Sequence, residues 1–382
     1  MLRCRARLES ALLTKLHPLL LGAALLATSP FGCTSTPSQP EPAFIPSYQR
    51  PATVVVMPPE TPKADPPLPT VPSSIAAPGT AVLRFEDEIM IAGQRFRTGS
   101  PVVLWTDPGG YDAYRVDKRF GDFQARQFAD WEDTSQNPQR YNIRDHRLSR
   151  DQVESHRGGS WTLAQLQQVI DQVVIHYDVA GTSRRCFEVL HDRRHLSCHF
   201  LLDLDGTIYQ TLDLKERAWH AGESNSRGIG IEIANLGAYP DGETFPWTAW
   251  AKTDARGRTY YLPPDPEDAE SFRTPGFKPM PARAEPVRGI VQGQSLTQLD
   301  FTPQQYAALS HLLATLHQAL PQIQLDAPRG PDGRVTTDLL PPARREGFQG
   351  LVGHYHVSSV KIDPGPAFDW EKVIQEARRL AP

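Results

Sequence analysis

A few residues in this chain combine a reactive side chain with a setting that would sharpen it. His176 ends a short apolar run, Val173-Val174-Ile175. An imidazole there can ligate a metal or carry a proton, although a strand-end His is also an ordinary satisfied core residue. Glu232 interrupts Ile229-Gly230-Ile231-Glu232-Ile233. Buried flanking isoleucines would desolvate its carboxylate and raise its pKa towards the range of a general base; an alternating strand could equally turn it to solvent. Further on, Gly353-His354-Tyr355-His356 precedes Lys361-Ile362-Asp363-Pro364-Gly365-Pro366. Asp before Pro is pushed to extended backbone, and Pro-Gly-Pro leaves the carboxylate little freedom. A rigid carboxylate a few residues from a His can share a zinc ion with it; the alternative is a turn Asp beside a surface Lys. Twelve His are scattered without an HExxH or other compact metal motif, so a zinc site here must be assembled from distant segments.

The elements that would position these groups are legible in outline. Ser160-Trp161-Thr162 opens a helix in which Thr162 can cap and Leu163, Leu166 and Ile170 recur at helical spacing, leading into the His176 strand. Asp205-Gly206 between two apolar runs predicts a hairpin. Thr302-Pro303-Gln304-Gln305 supplies a cap, a Pro at the first helical position and a capping-box Gln, with Tyr306, Leu309, Leu313, Leu316 and Leu320 as the buried stripe. A last helix is predicted from Trp370 to Leu380. Strands are predicted at 82–85, 88–91 and 101–105, with a turn cluster at 107–110. This mixture predicts an α/β domain with a central mixed sheet flanked by helices over 156–382, and a small β-rich extension and connector at 81–155. The extension is read as packed on the main domain, since about fifty residues make a marginal core alone. Asn235 to Thr297 is rich in Pro and turn residues, and its stretch 236–297 reads as an insertion: a surface excursion or the rim of a groove.

The chain has 382 residues and a formal net charge of −4, from 40 basic and 44 acidic residues. No bulk field favours nucleic acid, which is not an expected partner. Its four Cys, at 4, 33, 186 and 198, are too few for a disulfide scaffold and are not spaced as a Cys-built zinc site. Cys186 and Cys198 are either a pair or free buried residues. Arg3, Arg5 and Arg7 precede an apolar core, Leu19 to Leu26, too short to span a bilayer stably. Phe31-Gly32-Cys33 then resembles a bacterial lipoprotein signal, so 1–33 is read as a signal peptide with Cys33 lipidated. Pro30 stands where Leu is usual, and the alternative is an ordinary secretory signal. The Pro-rich stretch 34–80 cannot bury enough apolar surface to offset its ordering entropy and reads as a tether.

Motifs in a fixed order resemble the zinc-dependent N-acetylmuramoyl-L-alanine amidases, whose fold is shared with peptidoglycan recognition proteins. They are IHYDVAG with His176, SCHFLLDLDGTIYQ at 197–210, RAWHAG at 217–222, the run from Asn225 to Glu232, and FTPQQY at 301–306 followed by GH…KIDPGPAFDW at 353–370. The resemblance spans about 160–380 and is interrupted by the insertion. It implies one zinc per chain held by His176, His354 and Asp363, with Glu232 as general base and Lys361 stabilising the oxyanion. His220 and Asn225 match substrate-contacting positions. The bond cut would join the lactyl group of N-acetylmuramic acid to L-alanine of the stem peptide.

Two departures from the family pattern stand out. His356 competes with His354 as ligand; His354 is preferred because it follows Gly353. Cys198 lies directly before His199, where some relatives carry a catalytic Tyr that members using a Glu base do not need. The expected protein is therefore a monomeric periplasmic amidase, lipid-anchored to the outer membrane, acting on peptidoglycan or muropeptides in cell-wall turnover or recycling. The competing expectations are a non-catalytic peptidoglycan-binding lipoprotein and a wall-anchoring protein that only grips glycan.

Overall fold

The apolar runs around His176 and Glu232 become two adjacent inner strands of a six-stranded mixed sheet. Its order is Gly350–Gly353, Gln172–Tyr177, Gly228–Ile233, Phe200–Leu202, Ile208–Gln210, Val102–Leu104. All neighbours run parallel except the hairpin Phe200–Leu202/Ile208–Gln210, which turns at Asp205-Gly206. Inner parallel strands are covered on both faces, which is why both runs are almost uninterruptedly apolar. The computed structural model describes residues 84–120, 140–240, 242–243 and 245–381. The signal-like segment, Cys33 and the Pro-rich stretch 34–80 lie outside the described residues, as do 81–83 and 121–139.

The two faces of the sheet are unequal. Val173, Ile175, Tyr177, Ile229, Ile231, Ile233, Phe200 and Leu202 project into the main core, where helices Pro303–Ala319 and Trp370–Leu380 cover them with Leu309, Leu313, Leu316, Val373 and Ile374. Each fully buried side chain of this size contributes roughly 1.5–3 kcal/mol. The long helix starts where its capping box predicts: Thr302 accepts from the Gln305 amide at 3.1 Å while Gln305 accepts from the Thr302 amide at 2.9 Å. The same Gln305 donates at 2.7 Å to the Ala234 carbonyl, just past the Glu232 strand. On the opposite face the apolar cover is divided: Val103, Leu201 and Tyr209 pack with Tyr111 and Phe187 towards one edge, and beside His176 only Val174, Ala221 and Val352 cluster. That face carries His176 and Glu232.

The strand expected at 82–85 does not form where it is described. Arg84 and Phe85 run as loop into a turn at Glu86-Asp87, because Arg84 bends back onto Asp107 and donates to the carbonyls of Phe85 and Val102. The hairpin Glu88–Ile91/Gln94–Arg97 sends Ile89 and Ile91 into the main core, and Val102–Leu104 is an edge strand of the central sheet. The 236–297 stretch folds into short elements. Among them Ala238–Pro240, Gln294–Gln298 and Val287–Val291 pair, in that order, as a three-stranded sheet.

Candidate metal centre and active site

Parallel pairing sets His176 directly opposite Glu232, so both side chains leave the same face of the sheet. On the other flank Gly353 pairs with Ile175, and the chain then leaves the sheet as one helical turn, His354–Val357, that begins at the level of His176. The segment that follows returns Asp363 to the same point. His176 Nδ1 lies 3.0 Å from His354 Nδ1 and 2.9 Å from Asp363 Oδ2, and His354 Nδ1 lies 3.0 Å from the same Oδ2. All three residues are buried. Among the described residues no other group of His, Cys, Asp or Glu converges in this way.

The protonation states suit a dication. Burial, reinforced by His354, pulls His176 down to about 4, against the opposing pull of Asp363, so its ring is neutral near pH 7. Burial pushes the Asp363 carboxyl up, but its hydrogen bonds with His176 and His354 outweigh that and hold it well below the usual carboxylate range. Neutral imidazoles and an ionised carboxylate are the forms that bind metal. Donor atoms about 3 Å apart also approach the ~3.3 Å edge of a zinc ligand tetrahedron, and three protein donors are the complement of a catalytic rather than a structural zinc. The residues present therefore fit zinc.

Glu232 is half-buried, and its Oε2 is buried without a protein partner. Burial raises its pKa well above the ordinary value, the negative charges of Asp363 and Asp178 add to this, and Lys361 and Arg194 oppose it. Glu232 and Lys361 line one groove of about 820 Å³ together with His176, His354 and Asp363. His220 Nδ1 lies 3.0 Å from His176 Nε2, and its own Nε2 is buried and unpartnered. Asn225, in the turn Gly222–Ser226, lines the groove too, but its side-chain oxygen accepts the amides of His220 at 3.1 Å and Ala221 at 2.6 Å. Its plain work is to hold the backbone that carries His220. Trp219 Nε1 and Arg217 Nε are further buried donors without a protein partner in residues that line the groove.

The competing His356 is spent elsewhere. Its Nδ1 accepts the Gly353 amide at 2.8 Å, its Nε2 lies 2.6 Å from the Thr336 carbonyl, and burial pulls it down to about 4. Cys186 and Cys198 are both buried and free, so no disulfide joins them. Two supporting residues escape the reading of the sequence. A Cβ on Gly230 would stand 2.7 Å from Cys198 Sγ and from the His220 ring, so the bare glycine is what lets His220 lie against the sheet. Arg144 is wholly buried and donates to the carbonyls of Leu214, Asn225, Ser226 and Gly228, pinning the His220 turn to the strand beside it. The glycine left a trace as the break in an isoleucine run; the arginine left none.

Comparison with known proteins adds a family match. Residues 166–269 match the family model described as N-acetylmuramoyl-L-alanine amidase. That span holds His176, His220, Asn225 and Glu232 and stops short of His354, Lys361 and Asp363. No curated protein matches the chain. Among solved structures, a selenomethionine derivative of AmpD is similar at 17% identity and TM-score 0.29, over 62% of this chain and 89% of that one. The amidase AmiD from E. coli, solved with anhydro-N-acetylmuramic acid-L-Ala-D-gamma-Glu-L-Lys, is similar at 19% identity and TM-score 0.29, over 59% and 62%. Drosophila peptidoglycan recognition protein SA is similar at 18% identity and TM-score 0.24, over 52% and 73%. Scores of this size establish neither mechanism nor substrate.

Proposed function

We propose that this protein is a zinc-dependent amidase that hydrolyses the bond between N-acetylmuramic acid and L-alanine of the peptidoglycan stem peptide. The observation that carries the reading is the meeting of His176 Nδ1, His354 Nδ1 and Asp363 Oδ2 within 3.0 Å of one another, in register with Glu232, in a chain whose residues 166–269 match an amidase family. His176, His354 and Asp363 would hold the ion. When bound, zinc supplies Lewis-acid polarisation of the scissile carbonyl and of water.

The remaining steps belong to the chain. Glu232, its pKa raised by burial, takes a proton from the attacking water and passes it to the departing L-alanine nitrogen. The Lys361 ammonium offsets the charge that develops on the carbonyl oxygen. The buried donors of Trp219, Arg217 and His220 offer hydrogen bonds to a polar substrate. Products are a lactyl carboxylate and a free peptide amine. From the N-terminal sequence we further propose export, lipidation of Cys33 and anchoring at the outer membrane, with a role in wall turnover or recycling. Mass analysis of the mature N-terminus would test that part.

For the chemistry, purified protein is incubated with sacculi and with anhydro-muropeptides, and the products are weighed by mass spectrometry. The expected outcome is release of intact stem peptides with one zinc per chain. Glu232→Gln should lower turnover roughly 10²–10⁴-fold while keeping the ion. Unchanged turnover in Glu232→Gln would remove its role as base. Binding that survives chelation, with no cleavage by the native protein, would instead favour a non-catalytic peptidoglycan-binding module.

A further inference from the structure

The hairpin that closes the inserted stretch, Val287–Val291/Gln294–Gln298, reaches back into the centre through two glutamines, Gln292 within the stretch and Gln298 just past it. Gln292 and Gly293 form its two-residue turn with φ of 47° and 74°. That geometry is favourable for Asn, Asp or Gly and costly for a residue such as Gln. The side chain explains why Gln stands there. Its amide nitrogen donates to the carbonyls of Tyr355 at 3.1 Å, Ser358 at 2.7 Å and Lys361 at 2.8 Å. Three converging oxygens require the nitrogen end of the amide, and they belong to the segment that connects His354 to Asp363.

At the far end of the hairpin, Gln298 is fully buried. Its nitrogen donates to Pro364 O at 3.1 Å and to Asn235 Oδ1 at 3.2 Å, and its oxygen accepts the Ala367 amide at 2.9 Å. Pro364 follows Asp363, and Asn235 follows the Glu232 strand. One side chain therefore ties the two halves of the site to each other. Gly365, at φ 82°, must lack a Cβ because Gln298 occupies that space.

From this we infer that the hairpin Val287–Val291/Gln294–Gln298 is a positioning element of the metal centre: Gln292 sets the course of the 355–361 backbone, and Gln298 sets the spacing between Asp363 and the Glu232 strand. The inference rests on the reading of His354, Lys361 and Asp363 as working groups. It assigns the insertion a role inside the centre rather than at its rim.

The test uses the full chain with Gln292→Asn. Asn suits the turn but is one methylene too short to reach the carbonyls. The expected result is an unchanged or raised melting temperature, faster hydrogen exchange over 353–365 in metal-free protein, zinc affinity about 10–100-fold weaker by chelator competition, and lower kcat with KM held. Gln292→Gly, unstrained at this φ, should behave alike and serves if the first variant folds poorly. Gln292→Glu, equal in length but without an N–H, should be worse than either. Wild-type exchange rates and zinc affinity in all three variants would overturn the inference. Exchange and zinc affinity do not depend on cleavage, so a native protein inactive on muropeptides would defeat the proposed reaction while leaving this test intact.

Discussion

The two halves of the site are held by different means. His176 and Glu232 are neighbours because two parallel strands pair residue for residue, and the isoleucines and valines between them anchor both strands in the main core. His354, Lys361 and Asp363 ride on a segment that leaves the sheet after Gly353, and its course is set by side chains 63–69 residues earlier in the chain. The first half inherits its precision from a ladder of backbone hydrogen bonds. The second depends on a few polar contacts, each with a single donor group. Perturbing the first half should therefore require altering the sheet, whereas the second should yield to one side chain.

The largest effect sets one ligand from each half against the other. His176→Ala and His354→Ala should each abolish stoichiometric zinc and reduce turnover beyond the roughly 10–100-fold typical of outer partners. Elemental analysis and product assays check this; a variant of either half that kept one zinc per chain would show that the halves do not share an ion. Next comes Gly230→Ala. Its new methyl would push on the His220 ring, and so on the contact with His176 Nε2, from inside the rigid half. Overpacking of this kind typically costs 1–3 kcal/mol, so melting temperature and zinc affinity should fall together, unlike the separation expected at Gln292.

The smallest effect on zinc and turnover lies outside both halves. Asp203 is fully buried, its Oδ2 has no partner, and burial together with Asp205 pushes its pKa up to about 8. Between about pH 4 and 8 the folded chain holds a proton that the unfolded chain has released. Asp203 therefore makes stability fall as pH rises through that window, by at most about 1.4 kcal/mol per pH unit. Asp203→Asn, which mimics the protonated acid, should flatten this slope in pH-dependent denaturant melts without altering zinc affinity. An unchanged slope would mean that the carboxylate is ionised and solvated in the folded state.

Much of the framework was legible because its signals are local. The Thr162 and Thr302 caps, the Asp205-Gly206 hairpin and the helix Trp370–Leu380 lie where short-range patterns predict them, and the mixed sheet flanked by helices is the fold class expected. Arg84 and Phe85, the described part of the strand expected at 82–85, are loop for a non-local reason: the partner of Arg84 is Asp107. Arg144, Gln292 and Gln298 were invisible because backbone groups are most of their partners, and a backbone group has no residue identity to read.

His354 and His356 show where sequence stops. Both precede Asp363 by a few residues in the same apolar-aromatic setting, and type and spacing leave them nearly equivalent. On one helical turn, residues two apart point about 200° from each other. One ring therefore faces His176 while the other turns away to Thr336. By itself the sequence determined the strands of His176 and Glu232, the Thr162 and Thr302 caps and the apolar face of the long helix, since each depends on residues within one or two turns. Only the tertiary structure decided which His meets Asp363 and what holds that loop in place. Those distances are set by contacts between segments that local pattern cannot relate.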